Sequence, residues 1–90
     1  MTVVWAKRAV VCLDEIGDHV ARDSPDGAER VVIQLIDAGE SLQSGPWRGR
    51  PVPESERDDV RELVIGKYRV IYQVMPELLR IVSVVHSARR

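Results

Sequence analysis

Ninety residues, 44% of them hydrophobic and 30% charged with a formal net charge of −1, have the composition of one small soluble globular domain. The longest uninterrupted apolar run, Ala9 to Leu13, is far too short to cross a bilayer, and the lone Cys12 excludes an internal disulfide. A chain of this size buries only about 60% of the surface that its unfolded form exposes, so its stability is expected to be modest.

The near-zero net charge hides an asymmetry. Residues 1 to 43 carry four Lys/Arg against eight Asp/Glu, whereas residues 60 to 90 carry six Lys/Arg against Glu62 and Glu77. Opposite charge on the two halves points to an anionic partner approaching the C-terminal half; the competing reading is that each charge solvates its own element. The N-terminus shows no basic segment followed by a long apolar core, and one cysteine suits a reducing compartment, so a cytoplasmic protein is expected.

Val3-Val4-Trp5 is a short strand signal. From about Ala6 to Arg22, the residues Ala9, Val10, Leu13, Ile16 and Val20 recur at three- and four-residue spacing, which predicts an amphipathic helix. Asp23-Ser24-Pro25-Asp26-Gly27 breaks it and restarts a second. Ser24 is placed to cap, Pro25 suits the first helical position, and Asp26 and Glu29 suit the positive end of the helix dipole. The second helix runs to about Glu40, and so short a turn predicts an antiparallel hairpin. Ser44 to Asp59 reads as a loop, broken by Gly45, Pro46, Gly49, Pro51 and Pro53, with Trp47 and Val52 as its anchors. Trp5 and Trp47 are expected to plug the two ends of the core. Three strands follow, Val60 to Ile65, Tyr68 to Val74 and Leu78 to His86, joined by connections short enough for antiparallel hairpins.

The predicted fold is therefore α+β, a single domain over residues 1–90 in the order β-α-α-β-β-β. An antiparallel helical hairpin packs on one face of a small antiparallel sheet. In the middle strand Tyr68, Val70, Tyr72 and Val74 share the face expected to meet the helices, while Arg69, Ile71 and Gln73 share the other. A sheet face left half apolar is a candidate surface for a partner. Two separated histidines and one cysteine give no metal-ligand spacing, no glycine-rich phosphate loop is present, and no cofactor is expected.

Several motifs, taken in order, carry a resemblance across nearly the full length. They are Trp5 in the first strand, the helix break at Ser24-Pro25, Gly49-Arg50-Pro51-Val52, Arg61-Glu62-Leu63, Tyr68-Arg69-Val70-Ile71-Tyr72, and Val85-His86-Ser87-Ala88-Arg89-Arg90. Together they resemble the RelE/ParE superfamily of type II toxin-antitoxin toxins. The resemblance implies a cytoplasmic toxin held inactive in a hetero-oligomer with a cognate antitoxin.

It also implies one of two mechanisms. RelE-like members cleave messenger RNA on the ribosome with lysines and arginines on the sheet; ParE-like members lack that set and are associated with DNA gyrase. Arg69 matches the RelE-like arginine after the strand tyrosine. Val60 and Glu62, however, stand where those enzymes carry lysines, and no tyrosine follows His86. Metal-free RNA cleavage needs a base, an acid and charge stabilisation at phosphate, which a glutamate would oppose. The expectation is a ParE-like toxin that acts on gyrase by binding, with no chemistry of its own. The alternative is a ribosome-dependent endoribonuclease using Arg61, Arg69, His86 and Arg89. The antitoxin or target is expected to meet Arg61, Arg69, Ile71, Gln73, Arg89 and Arg90. For Arg69 this surface role competes with a salt bridge to Glu62 across the sheet.

Overall fold

The computed structural model describes residues 1–87; Arg89 and Arg90, two of the expected contact residues, lie outside the described residues. The elements run β1 (Thr2–Trp5), α1 (Lys7–Ala21), α2 (Pro25–Glu40), a 3-10 turn (Ser41–Ser44), β2 (Arg50–Pro51), β3 (Val60–Ile65), β4 (Tyr68–Val74) and β5 (Leu78–His86). This is the expected α+β arrangement. The Ser24 hydroxyl accepts a hydrogen bond from the Gly27 N–H at 3.0 Å with Pro25 in the first turn, so the cap chemistry read from the sequence forms as written.

The five strands lie in the order β1-β5-β4-β3-β2. Neighbours from β2 to β5 pair antiparallel, whereas β1 runs parallel to β5, with Thr2 opposite Leu78 and Trp5 opposite Ile81. The sheet is thus mixed: parallel pairing needs a long connection, and nearly the whole chain separates these two strands. The second addition is β2, two residues long and paired at the sheet edge with Arg61 and Glu62. It falls inside the segment read as loop, because two residues carry no alternation and a proline signals a break. An edge position tolerates Pro51.

Val70, Tyr72 and Val74 of β4 join Leu79 and Ile81 of β5 beneath Ala9, Leu13 and Leu35 of the hairpin. The apolar face of β4 therefore does meet the helices, with Tyr68 partly buried at its margin. Between β4 and β5 the register shifts: Tyr72 lies opposite Ile81 but Ile71 opposite Ser83, so Val82 is an extra residue. Trp5 plugs one end of the core, with its indole N–H donating to Glu40 at 2.7 Å. Trp47 does not plug the other, being 53% exposed; Leu42 and Val52 are buried instead.

At Gly39, α2 comes so close to the sheet that a Cβ there would stand 2.5 Å from Trp5 Cζ2 and 2.7 Å from Ile81 Cδ1. Gly39→Ala is expected to lower unfolding free energy by about 1–3 kcal/mol in a denaturant titration, the usual cost of overpacking. At Gly45 the same added atom would meet the Arg48 side chain alone, at 3.8 Å from Cβ and 4.0 Å from Nη1, which is ordinary van der Waals contact. Gly45→Ala is expected to change stability by no more than about 0.5 kcal/mol.

Candidate functional site: a charge-balanced sheet face and a cationic corner

Strand alternation decides which side chains reach the face turned away from the helices. Arg61 and Leu63 follow Tyr72 and Val70 to the core side, while Glu62 and Val64 follow Ile71 and Arg69 to the other. Glu62 is 1% exposed there, and such a carboxylate needs both oxygens satisfied. Arg50 Nε donates to Glu62 Oε2 at 2.6 Å and an Arg69 terminal nitrogen donates to Glu62 Oε1 at 2.6 Å. Arg69 also donates to both oxygens of Glu54, at 3.2 and 3.1 Å. Among the described residues these contacts join two carboxylates and two guanidiniums into one group. It ties the loop after β2 to the middle of the sheet.

Arg69 is 7% exposed, so the salt bridge to Glu62 is the arrangement found, and its charge is balanced inside the chain. The hydrogen bond to Glu54, with Glu62 adding to it, raises the Arg69 pKa further, and the side chain stays protonated. Apolar ground remains beside it: its cross-strand partners are Val64, 48% exposed, and the half-buried Val85. Ile71 and Gln73 are half-buried on this face, and the Gln73 amide donates to Asp59 at 3.0 Å. Asp59 also takes two hydrogen bonds from Arg57, at 2.9 and 2.7 Å. Arg57 first, then Gln73, hold its carboxyl well below the usual carboxylate range. His86 packs edge-on against Tyr68, with ring centroids 5.5 Å apart. A depression of about 530 Å³ lies between Arg8, Cys12, Glu15 and His19 on one side of α1 and Ile71 and Val85 on the sheet.

Arg61 belongs to a different place. Its guanidinium donates to the carbonyls of Asp58 and Gly49, at 3.1 and 3.2 Å, and stacks 4.9 Å from the Trp47 ring centroid. Gly49 is buried because its backbone lies against the sheet, its N–H donating to the Tyr72 hydroxyl at 2.9 Å. A Cβ at Gly49 would stand 2.5 Å from both that hydroxyl and the Glu62 carbonyl oxygen. Burial raises the Tyr72 phenol, partly offset by the Gly49 hydrogen bond and by the charges of Arg61 and Arg48.

The expected site residues are therefore divided. Arg69, Ile71 and Gln73 share the face away from the helices, Arg61 sits with Trp47 in the corner, and His86 is at the end of β5. Sequence reading missed Glu54, Arg50, Trp47 and Arg48 as members of these groups. The Glu62→Gln variant should lose about 3–5 kcal/mol, because it leaves buried Arg69 with half its compensation. Glu54→Gln should cost under about 1 kcal/mol, since the Glu54 side chain is 44% exposed. Thermal or denaturant unfolding of the two variants checks this order.

Comparison with known proteins agrees with this architecture. Residues 3–90 match the model of the ParE toxin of the type II toxin-antitoxin system parDE. Toxin RelE2 of Caulobacter vibrioides is 37% identical over 87 residues, covering 97% of this chain and 96% of that protein. The Sinorhizobium fredii protein Y4kP is 35% identical over 85 residues, with 92% and 84% covered. Among solved structures, the chromosomal ParDE system of P. aeruginosa superposes with a TM-score of 0.80 at 26% identity, covering 96% of this chain and 95% of that one. The RelBE2 toxin-antitoxin complex of Mycobacterium tuberculosis shares the fold, with a TM-score of 0.70 at 22% identity over 94% and 95% of the two chains. The chain belongs to the ParE toxin family of type II toxin-antitoxin systems.

Proposed function

We propose that this toxin inhibits growth by binding DNA gyrase and is neutralised in the cytoplasm by a cognate antitoxin, with which it forms a hetero-oligomer. The observation that carries the choice of binding over RNA cleavage is the balance around Arg69. Glu62 and Glu54 both contact that guanidinium, so two negative charges stand where a scissile phosphate would need positive ones. Arg61 is on the opposite side of the strand, stacked on Trp47, which separates it from Arg69 as a catalytic pair. The residue pattern set out above, with Val60 and Glu62 in place of lysines, supports the same reading. Purified toxin is expected to inhibit supercoiling by gyrase, and transcript ends mapped after induction are expected to show no codon-aligned cuts. Codon-aligned cuts with unaffected supercoiling would establish the ribonuclease alternative.

For the antitoxin, we assign an amphipathic segment laid with its apolar side along the depression beside α1 and onto Ile71 and Gln73. What supports this is the apolar ground of Ile71, Val64 and Val85 around a charge-neutral centre. Ile71→Asp should weaken antitoxin binding at least tenfold, about 1.4 kcal/mol, while leaving the protein folded. Calorimetric titration against the antitoxin encoded beside this chain measures it. Unchanged affinity moves the antitoxin to the outer surface of the helical hairpin.

A further inference from the structure

A second surface lies on the other side of β3 from Glu62. From Ser41 to Pro53 the sequence carries Arg48 and Arg50 and no carboxylate, in a chain with 14 of them. Arg50 is drawn to Glu62, but Arg48 donates to the Ser41 hydroxyl and Arg61 to two backbone carbonyls. Among the described residues neither Arg48 nor Arg61 is in a salt bridge with a carboxylate. Arg61 donates to the carbonyl of Gly49, the residue that follows Arg48, which brings the two arginines to one bend of the chain. Trp47, the residue before Arg48, is 53% exposed while the Arg61 guanidinium stacks on its ring, so the residue stays open to solvent. The corner is also rigid: Gly49 is locked against Tyr72 and the Glu62 carbonyl, which fixes where Trp47 and Arg48 leave the backbone.

An exposed indole stacked on one guanidinium and followed by a second fits a ligand that is flat and anionic at adjoining points. A nucleotide strand has that form: bases stack on aromatic faces in any sequence, while arginines take the phosphates. An acidic peptide would use the charges and leave the ring idle. We propose that Trp47, Arg48 and Arg61 form a docking corner for single-stranded nucleic acid, one base stacking on the free face of Trp47 and the adjoining phosphate bound by the two guanidiniums. This goes beyond the gyrase reading and does not depend on it, because the contact involves no cleavage and none of the Arg69 group.

The test is fluorescence anisotropy of labelled oligothymidylate and oligouridylate titrated with the full chain at low salt. Trp47→Ala should weaken binding about tenfold, and Trp47→Phe should retain most of the affinity. Arg48→Ala should also weaken binding and reduce the salt slope by about one. Both side chains are exposed, so these variants keep the fold, which circular dichroism checks. Binding of either oligonucleotide that Trp47→Ala and Arg48→Ala both weaken supports the corner. Undiminished binding by Trp47→Ala, no binding by the parent, or equal competition by a polyglutamate peptide would overturn it. None of these outcomes depends on gyrase inhibition, so the two readings fail separately.

Discussion

A carboxylate that is almost wholly shielded from water in the middle of a sheet cannot remain charged alone, and the candidate site is organised around meeting that need at Glu62. Both of its oxygens accept from guanidiniums at 2.6 Å, and Glu54 balances the positive charge left on Arg69. The four charges sum to zero. Their sources matter more than their number: Arg50 comes from the two-residue β2, Glu54 from the loop after it, Glu62 from β3 and Arg69 from β4. A segment dense in proline and glycine, with little regular hydrogen bonding, is thereby held over the sheet by side chains. A buried ion group of this kind contributes less net stability than an apolar filling would, but it admits few alternative arrangements. Losing one partner would strand the others.

The legibility of the sequence follows the range of each interaction. The helices, the Ser24 cap and the three long strands depend on residues within a few positions of one another, and their periodicity was sufficient to place them. The partition of β4 into a helix-facing and an open face follows from alternation alone. Arg69 is different. Whether it serves a partner or a salt bridge is decided by Glu62 seven residues away and by Glu54 in an irregular loop, fifteen residues away. The Glu62 contact could be weighed from strand pairing, whereas Glu54 gave no signal because the fold of its loop was unknown. Trp47 failed for a related reason. An aromatic residue in a loop is read as an anchor by default, yet the close approach of Gly49 to Tyr72 fixes that loop, leaving the indole outside.

The two adjoining residues Arg61 and Glu62 have opposite charge and point to opposite sides of the same strand. That alternation separates the chemistry of the domain into two surfaces. On one side Glu62, Arg69, Arg50 and Glu54 match one another beside the apolar ground of Ile71, Val64 and Val85, which suits a protein partner that excludes water. On the other, Arg61 stacks on the exposed Trp47 and Arg48 follows in the chain, neither arginine in a salt bridge among the described residues, which suits a flat anionic ligand. A phosphoryl-transfer site would need the cations of both surfaces to converge on a single phosphate. Arg61 and Arg69 instead leave the sheet on opposite faces. Glu62 holds Arg69 against the sheet, while Arg61, one residue earlier, points to the other side.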